Sequence, residues 1–90
     1  MDISFDAAKR AATLKARGLD FADAGEVFKA AIATRPDERF RYGEERLVTA
    51  GYLEDRLVVV VWTPRGGVRH IISMRHAHAN EERSWLAYRK

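Results

Sequence analysis

The sequence predicts an α+β fold with two N-terminal helices, a three- to four-stranded antiparallel meander sheet and a C-terminal helix. The sheet prediction starts from residues 57–62, LVVVVW, an unbroken apolar run that favours a strand covered on both faces. Pro64, Gly66 and Gly67 interrupt this run, and a second run rich in β-branched residues follows at residues 68–75. Apolar residues at helical spacing occur near both chain ends, so we expect a central hairpin packed against helices.

Length and composition place the chain among ordinary globular proteins. Ninety residues predict one domain spanning residues 1–90 with a single modest core. Hydrophobic residues make up 47% and charged residues 32%, which excludes the disordered class. No apolar run approaches the ~20 residues that cross a bilayer, and no signal peptide is visible, so we expect a cytoplasmic protein without a membrane partner. The chain has no cysteine, and His70, His76 and His78 lack metal-ligand spacing, so neither a metal nor another cofactor is predicted.

Arginine dominates the basic residues of the chain. The net charge is only +3, but 12 of the 16 basic residues are arginine. A guanidinium suits bidentate contact with phosphate better than an ammonium does, which favours a nucleic-acid partner. The 13 acidic residues weaken this argument, and a genomic composition bias explains an arginine-rich chain equally well.

Two helices are predicted in the first third of the chain. Asp6 caps the first helix, alanines and a leucine form its apolar stripe, and Gly18 ends it. Lys9 and Arg17 are eight residues apart and lie roughly on one side of this helix, where they form either a basic site or a solvated face. Asp20 caps a second helix, whose phenylalanines are interpreted as packing residues.

The middle of the chain combines an edge strand, a polar loop and a further strand. The edge strand is predicted near residues 32–34, and Pro36 and Gly43 exclude a helix in the loop that follows. Such a loop either contacts substrate or serves as a connector. Residues 46–53, RLVTAGYL, alternate well enough for a strand, and two acidic residues turn the chain into the central hairpin.

Strand alternation divides the second strand of the hairpin between two faces. One face is predicted to carry Arg69, Ile71, Ser73 and Arg75. The other face is predicted to carry Val68, His70, Ile72 and Met74. The first face is the more polar and is a candidate lining for a site. The alternative is that Arg69 and Arg75 are solvated residues at the strand ends, because charged side chains normally lie outside.

The last fifteen residues predict a closing helix. Asn80 caps it, and Leu86 reaches inward together with either Trp85 or Tyr88. The connection before the helix contains His76 and a second histidine. These side chains serve acid–base chemistry or are idle surface residues.

Five short motifs follow one another in order along nearly the whole chain. They are D-x-x-K, G-[LV]-x-F-x-x-A-x-x-V-F, G-E-E-R, R-x-x-V-V-V-[YW] and I-I-S-[AM]-R. In this sequence they correspond to Asp6 and Lys9, to Gly18, Leu19, Phe21, Ala24, Val27 and Phe28, and to residues 43–46, 56–62 and 71–75. No single motif is specific, but the ordered set resembles the BrnT family of bacterial type II toxins.

The resemblance implies a compact fold similar to RelE-type toxins and an endoribonuclease that inhibits translation by cutting RNA. It also implies a BrnA-like DNA-binding antitoxin as partner, in a dimer or a heterotetramer that masks the toxin and represses its own operon. The family often has Lys-His-Gly where this chain has Ala16, Arg17 and Gly18. An arginine stabilises negative charge but does not exchange protons near pH 7, so activity is weak or His70 or His76 substitutes for the missing histidine.

The predicted reaction is attack of the RNA 2′-hydroxyl on the adjacent phosphate, which leaves a 2′,3′-cyclic phosphate. It requires a base, an acid and cations near the phosphoryl oxygens. We assign phosphate stabilisation to Arg17, Arg46 and Arg75, and positioning of the RNA backbone to Lys9. Ser73 shares a predicted strand face with Arg75 and is expected to hold a phosphate oxygen.

The predicted base is Glu44 and the predicted acid is His76. Arg56, Arg69 and Trp62 are assigned to substrate binding, the tryptophan by stacking on a base. Each assignment has a structural alternative, because Glu44 and Arg56 also have neighbours for exposed ion pairs and an aromatic residue on a strand usually belongs to the core.

Two other functions compete with the ribonuclease. One is a homologue without catalysis that acts as a binding module and co-repressor with the DNA-binding antitoxin, which the arginine at position 17 favours. The other is a small nucleic-acid-binding domain unrelated to toxins, which the absence of an aromatic RNA-binding signature disfavours.

Overall fold

The computed structural model describes residues 2–38 and 43–89. In chain order, these residues form β1 (Ile3–Phe5), α1 (Ala7–Arg17), a 3₁₀ turn (Phe21–Asp23) that leads into α2 (Ala24–Lys29), β2 (Ala31–Pro36), β3 (Leu47–Leu53), β4 (Arg56–Arg65), β5 (Val68–His76) and α3 (Ala79–Arg89). None of the described helices is long and apolar enough to span a membrane.

The strands form one mixed sheet in the order β1-β5-β4-β3-β2. The α+β class and the β3-β4-β5 meander are confirmed, but the prediction of three to four antiparallel strands is wrong. The described sheet has five strands, and β1 pairs with β5 in parallel. Three residues are too short to display strand alternation, so β1 became visible only through its pairing, which continues to a hydrogen bond from the Arg69 N–H to the Asp2 carbonyl at 2.9 Å.

The predicted ends of α1 are confirmed, whereas Asp20 caps the 3₁₀ turn before α2 and not α2 itself. The Asp6 carboxylate accepts a hydrogen bond from the Lys9 N–H at 3.0 Å, which caps α1. Gly18 ends α1 at φ 70°, a left-handed conformation that favours glycine, and its N–H donates to the Leu14 carbonyl. Asp20 caps the 3₁₀ turn by accepting from the Ala22 N–H at 2.9 Å.

One face of the sheet packs against the N-terminal helical segment, and we call it the helix face. Its buried strand residues are Val58, Val60, Trp62, Ile71 and Met74. Leu19, Phe21, Ala24 and Val27 cover them. Gly51 of β3 lies so close to α2 that a Cβ placed on it would lie 2.2 Å from the Val27 carbonyl oxygen.

We call the opposite face, which carries Leu57, Val59 and Val61, the open face. At one end α3 covers it by inserting Trp85, which is 2% exposed. The predicted closing helix is therefore confirmed, but Asn80 lies inside the helix and is not its cap. Leu86 is 43% exposed, so the expectation that it reaches inward is wrong. The reason is helical phase, because Trp85 points to the sheet and its immediate neighbour must point elsewhere.

A β-bulge interrupts the pairing of β4 with β5. Val61 pairs with Ser73, but the next residue of β4, Trp62, pairs with Ile71, so Ile72 is an extra residue on β5. Alternation is shifted by one residue beyond this point, and the predicted division of β5 into faces is wrong. The helix face carries Arg69 and Ile71 with Met74. The open face carries His70 with Ser73 and Arg75.

Candidate active site on the open face

Strand pairing arranges the open face into rows of side chains that cross neighbouring strands. The central row consists of Arg35, Val48, Val61 and Ser73. The row toward α3 consists of Ala33, Ala50, Val59 and Arg75. The row on the other side contains Thr63, His70 and Ser4. Adjacent rows are two residues apart along β4, which corresponds to about 7 Å.

A cleft of about 480 Å³ lies between α3 and the two rows that carry Ser73 and Arg75. Its polar lining residues are Arg35, Asp37, Glu38, Ser73, Arg75 and Glu81. The structure thus brings the predicted residues Ser73 and Arg75 together. The sequence prediction did not include Arg35, because it placed the end of the edge strand at residue 34. In the structure β2 continues to Pro36, so Arg35 lies opposite Val48.

Arg75 is held by an end-on bidentate contact with Glu81 of α3. The guanidinium Nη1 and Nη2 atoms donate to the two carboxylate oxygens at 2.8 and 2.6 Å. This contact is the main reason why the pKa of Glu81 is lowered to about 2. The Arg75 side chain is still 43% exposed. It is therefore fixed in direction before any ligand arrives, but its charge is partly balanced by Glu81.

Arg35 reaches the cleft from the edge strand. Its guanidinium carbon lies 4.4 Å from the centroid of the Trp85 ring, a cation–π contact that positions the group without neutralising its charge. The described lining of the cleft contains two arginines against three acidic residues. An anionic ligand would therefore be held by these individual guanidinium groups and not by a broadly positive surface.

The row beyond the cleft contains a histidine with an ordered partner. The Ser4 hydroxyl and His70 Nδ1 lie 2.8 Å apart across β1 and β5. Burial lowers the pKa of His70, and the charge of Arg65 lowers it further. The charges of Glu44 and Lys9, two predicted site residues, also act on His70.

Two residues of the predicted G-E-E-R motif lie at this end of the sheet. Glu44 pairs with Arg65 at 3.3 Å rather than with a residue of its own motif. Arg46 directly precedes β3, and its carbonyl accepts from the Asp37 N–H at 2.9 Å, so strand pairing extends to it. Leu47 packs on the helix face, and alternation therefore places Arg46 on the open face. Arg41 is one of the sequence neighbours with which Glu44 was expected to form an exposed ion pair, and it lies outside the described residues.

Three other predicted residues lie away from the cleft. Arg17 donates from Nη1 to the Met74 carbonyl at 2.8 Å, which ties the end of α1 to β5. His76 pairs with Val58 of the helix face, and with Arg56 it lines a second cavity of about 260 Å³. Burial and the Arg56 charge lower the pKa of His76. Arg75 and His76 are thus neighbours in sequence on opposite faces of the sheet, so they do not converge on one phosphate.

Arg69 and Trp62 are packed together on the helix face. The Arg69 guanidinium lies 4.1 Å from the Phe28 ring centroid and 5.1 Å from that of Trp62. Trp62 is 7% exposed, and its indole N–H donates to the Thr49 hydroxyl at 2.8 Å. We therefore assign Trp62 to packing and not to base stacking, because a base must reach the ring face.

A family model described as a ribonuclease toxin, BrnT, of type II toxin-antitoxin systems matches residues 5–81. The matched segment runs from the end of β1 into the first turn of α3 and includes His70, Ser73, Arg75 and Glu81. No curated protein sequence matches the chain. Within residues 2–38 and 43–89, no group of three or more acidic or histidine side chains is arranged to hold a metal ion.

Proposed function

The chain belongs to the BrnT family of ribonuclease toxins of type II toxin-antitoxin systems, and from this premise we propose that it is an endoribonuclease that cleaves RNA in the cleft of the open face. The observation that carries the proposal is the convergence of Arg35, Ser73 and Arg75 on one cleft within the family-matched residues. Two guanidinium groups and a hydroxyl match the donors that a phosphodiester requires.

We propose a reaction that needs no metal ion. The 2′-hydroxyl oxygen attacks the adjacent phosphorus, the bond to the 5′ oxygen breaks, and the products are a 2′,3′-cyclic phosphate and a free 5′-hydroxyl. Negative charge grows on the phosphoryl oxygens as the new bond forms. Arg75 and Arg35 would stabilise that charge, and Arg46 would hold the RNA backbone on the neighbouring row. Ser73 would donate its hydroxyl to one of the oxygens.

The biological consequence that we propose is inhibition of translation through cleavage of RNA. Family membership implies an antitoxin partner. We propose that this partner is a BrnA-like DNA-binding protein, and that the complex masks the toxin as a dimer or a heterotetramer. We also propose that the open face is the face of the active site in a RelE-like arrangement, because the 3₁₀ turn and α2 cover the opposite face.

The experiment incubates the purified protein, free of its partner and in EDTA, with a defined single-stranded RNA and analyses the new ends. We expect cyclic phosphate ends, and Arg75→Ala should lower the cleavage rate about 10²–10³-fold, the usual loss when one charge-stabilising donor is removed. The matched control is Arg83→Ala, which removes an exposed arginine of α3. The thermal midpoint of each variant is measured alongside. Full activity of Arg75→Ala would overturn the site, as would loss of activity only through unfolding.

Two arginines that already have partners within the protein favour a second function. Arg17 stands where the family often has histidine and donates to a backbone carbonyl, and Arg75 is paired with Glu81. The alternative is therefore a catalytically weak homologue that survives as a binding module and co-repressor with its antitoxin. Absence of cleavage both on free RNA and with translating ribosomes, combined with retained antitoxin binding, would select this alternative.

A further inference from the structure

We propose that His70 is the residue that exchanges protons with the RNA in this ribonuclease, replacing both predicted proton-transfer residues, Glu44 and His76. The inference rests on the proposed function, since it assigns a residue to the same reaction. It comes from the β-bulge, which turns His70 to the open face while His76 remains on the helix face.

His70 lies on the row next to that of Ser73. On β4, Thr63 pairs with His70 and Val61 pairs with Ser73. Thr63 and Val61 are two residues apart on that strand. The row of His70 is therefore about 7 Å from the row of Ser73. A ribose bound next to a phosphate in the cleft would lie toward this row. Without the bulge, His70 would lie on the opposite face from Ser73, and the reaction would have no histidine on this part of the sheet.

A hydrogen bond with Ser4 orients the His70 ring. Ser4 is the hydrogen-bond partner of His70 among the described residues, and it engages Nδ1 at 2.8 Å. That contact holds the ring in one direction and leaves Nε2 as the nitrogen for the substrate. A base whose second nitrogen is held by a fixed partner is the arrangement that supports proton transfer. Ser4 is thus a positioning residue.

The charged neighbours of His70 suit a group that begins neutral and becomes charged. Burial lowers its pKa, and Arg65 of β4 and Lys9 of α1 act in the same direction. Glu44 before β3 and Asp6 at the cap of α1 act in the opposite direction. The ring is therefore mainly neutral at pH 7 and able to accept a proton, and the nearby carboxylates stabilise the imidazolium that forms.

His70 Nε2 takes the proton of the 2′-hydroxyl while the oxygen bonds to phosphorus, and the phosphorus–O5′ bond breaks. The leaving O5′ takes a proton from water, and the imidazolium later returns its proton to the solvent. In this scheme Glu44 acts through its charge and is not itself the base.

The test compares His70→Gln with His78→Gln, an exposed histidine before α3 that serves as the matched control. Single-turnover cleavage should fall about 10²–10⁴-fold in His70→Gln, the usual contribution of a positioned base. Binding of an RNA with a 2′-O-methyl group at the cleavage position should stay within about threefold of wild type, since only proton transfer is removed. The wild-type cleavage rate should decline as the pH falls through the pKa of His70, which lies below 6.5. This decline, the acidic limb of the pH profile, should be absent from His70→Gln.

A second variant separates this role from a structural one. Ser4→Ala leaves the imidazole in place and should lower the cleavage rate roughly tenfold or more without changing RNA binding. Wild-type rates in a folded His70→Gln, or an unchanged pH profile, would overturn the assignment while leaving the ribonuclease intact. Loss of cleavage in His76→Gln with an unaltered pH limb in His70→Gln would return the role to His76. If wild-type protein does not cleave RNA at all, the proposed function and this inference fail together.

Discussion

At the scale of single residues, the arginines of this chain perform different tasks although their side chains are identical. Arg17 donates to a backbone carbonyl of β5, and Arg69 stacks on two aromatic rings of the helix face. Arg75 instead faces the cleft, where Glu81 fixes its direction. Composition therefore predicted a preference for phosphate but did not identify which arginines face the cleft.

Gly51 provides a test of packing at this scale. A methyl group on Gly51 would overlap the Val27 carbonyl oxygen, which a Cβ would approach to 2.2 Å. Gly51→Ala should lower the free energy of unfolding by about 1–3 kcal/mol or more, the usual cost of overpacking. Urea denaturation measures the change.

The matched control is Gly25→Ala in α2, where a Cβ would meet no atom within 4 Å. Alanine is the better helix former, so this variant should be about 0.5–1 kcal/mol more stable than wild type. Equal stability of the two variants would contradict the close contact between β3 and α2.

At the scale of elements, α3 is both the cover of one end of the open face and a wall of the cleft. Trp85 anchors it in the core, and Glu81 in its first turn holds Arg75. The two cleft arginines are therefore both positioned by α3, since Arg35 lies over the Trp85 ring. The stability of this helix and the geometry of the site are consequently linked.

Trp85→Ala tests how far the cleft depends on α3. Removing this buried side chain should cost about 3–5 kcal/mol and loosen α3 from the sheet. Amide hydrogen exchange should rise across residues 79–89, and RNA cleavage should fall because both arginines lose their supports.

Leu86→Ala is the corresponding control, because Leu86 is 43% exposed and its loss should change stability by less than about 0.5 kcal/mol. If α3 exchanged as slowly in Trp85→Ala as in wild type, the helix would not depend on this anchor.

At the scale of the whole molecule, two ion pairs make the folding stability depend on pH in the acidic range. The Arg75 contact lowers the pKa of Glu81 from 4.5 to about 2, and the Arg10 contact lowers that of Asp20 from 3.8 to about 2. A carboxyl group with a lower pKa in the folded state stabilises the fold at pH values above its unfolded pKa. This contribution is lost as the pH falls toward the folded value.

We therefore expect the thermal midpoint to begin to fall below about pH 6.5, because folding lowers the pKa of His70 and His76, and to fall further between pH 4.5 and 2, where Glu81 and Asp20 lose their contributions. Glu81→Gln and Asp20→Asn should each make the lower part of this decline shallower, because each removes one group whose pKa changes on folding. Scanning calorimetry across this pH range measures the effect. A decline of the same steepness in both variants would mean that other carboxyl groups are responsible.

The sequence alone determined the α+β class, the caps Asp6, Gly18 and Asp20, the central hairpin and the family, because caps, turns and strand runs depend on neighbours close in the chain. The sequence also placed Ser73 and Arg75 on one face of a strand, and both line the cleft in the structure. Only the tertiary structure decided that β1 joins the sheet in parallel, that Arg35 completes the cleft and that His70 and His76 lie on opposite faces. The physical reason is register. A single extra residue, Ile72, reverses the faces of everything beyond it on the strand, and its position depends on pairing with β4 and leaves no local signal in the sequence.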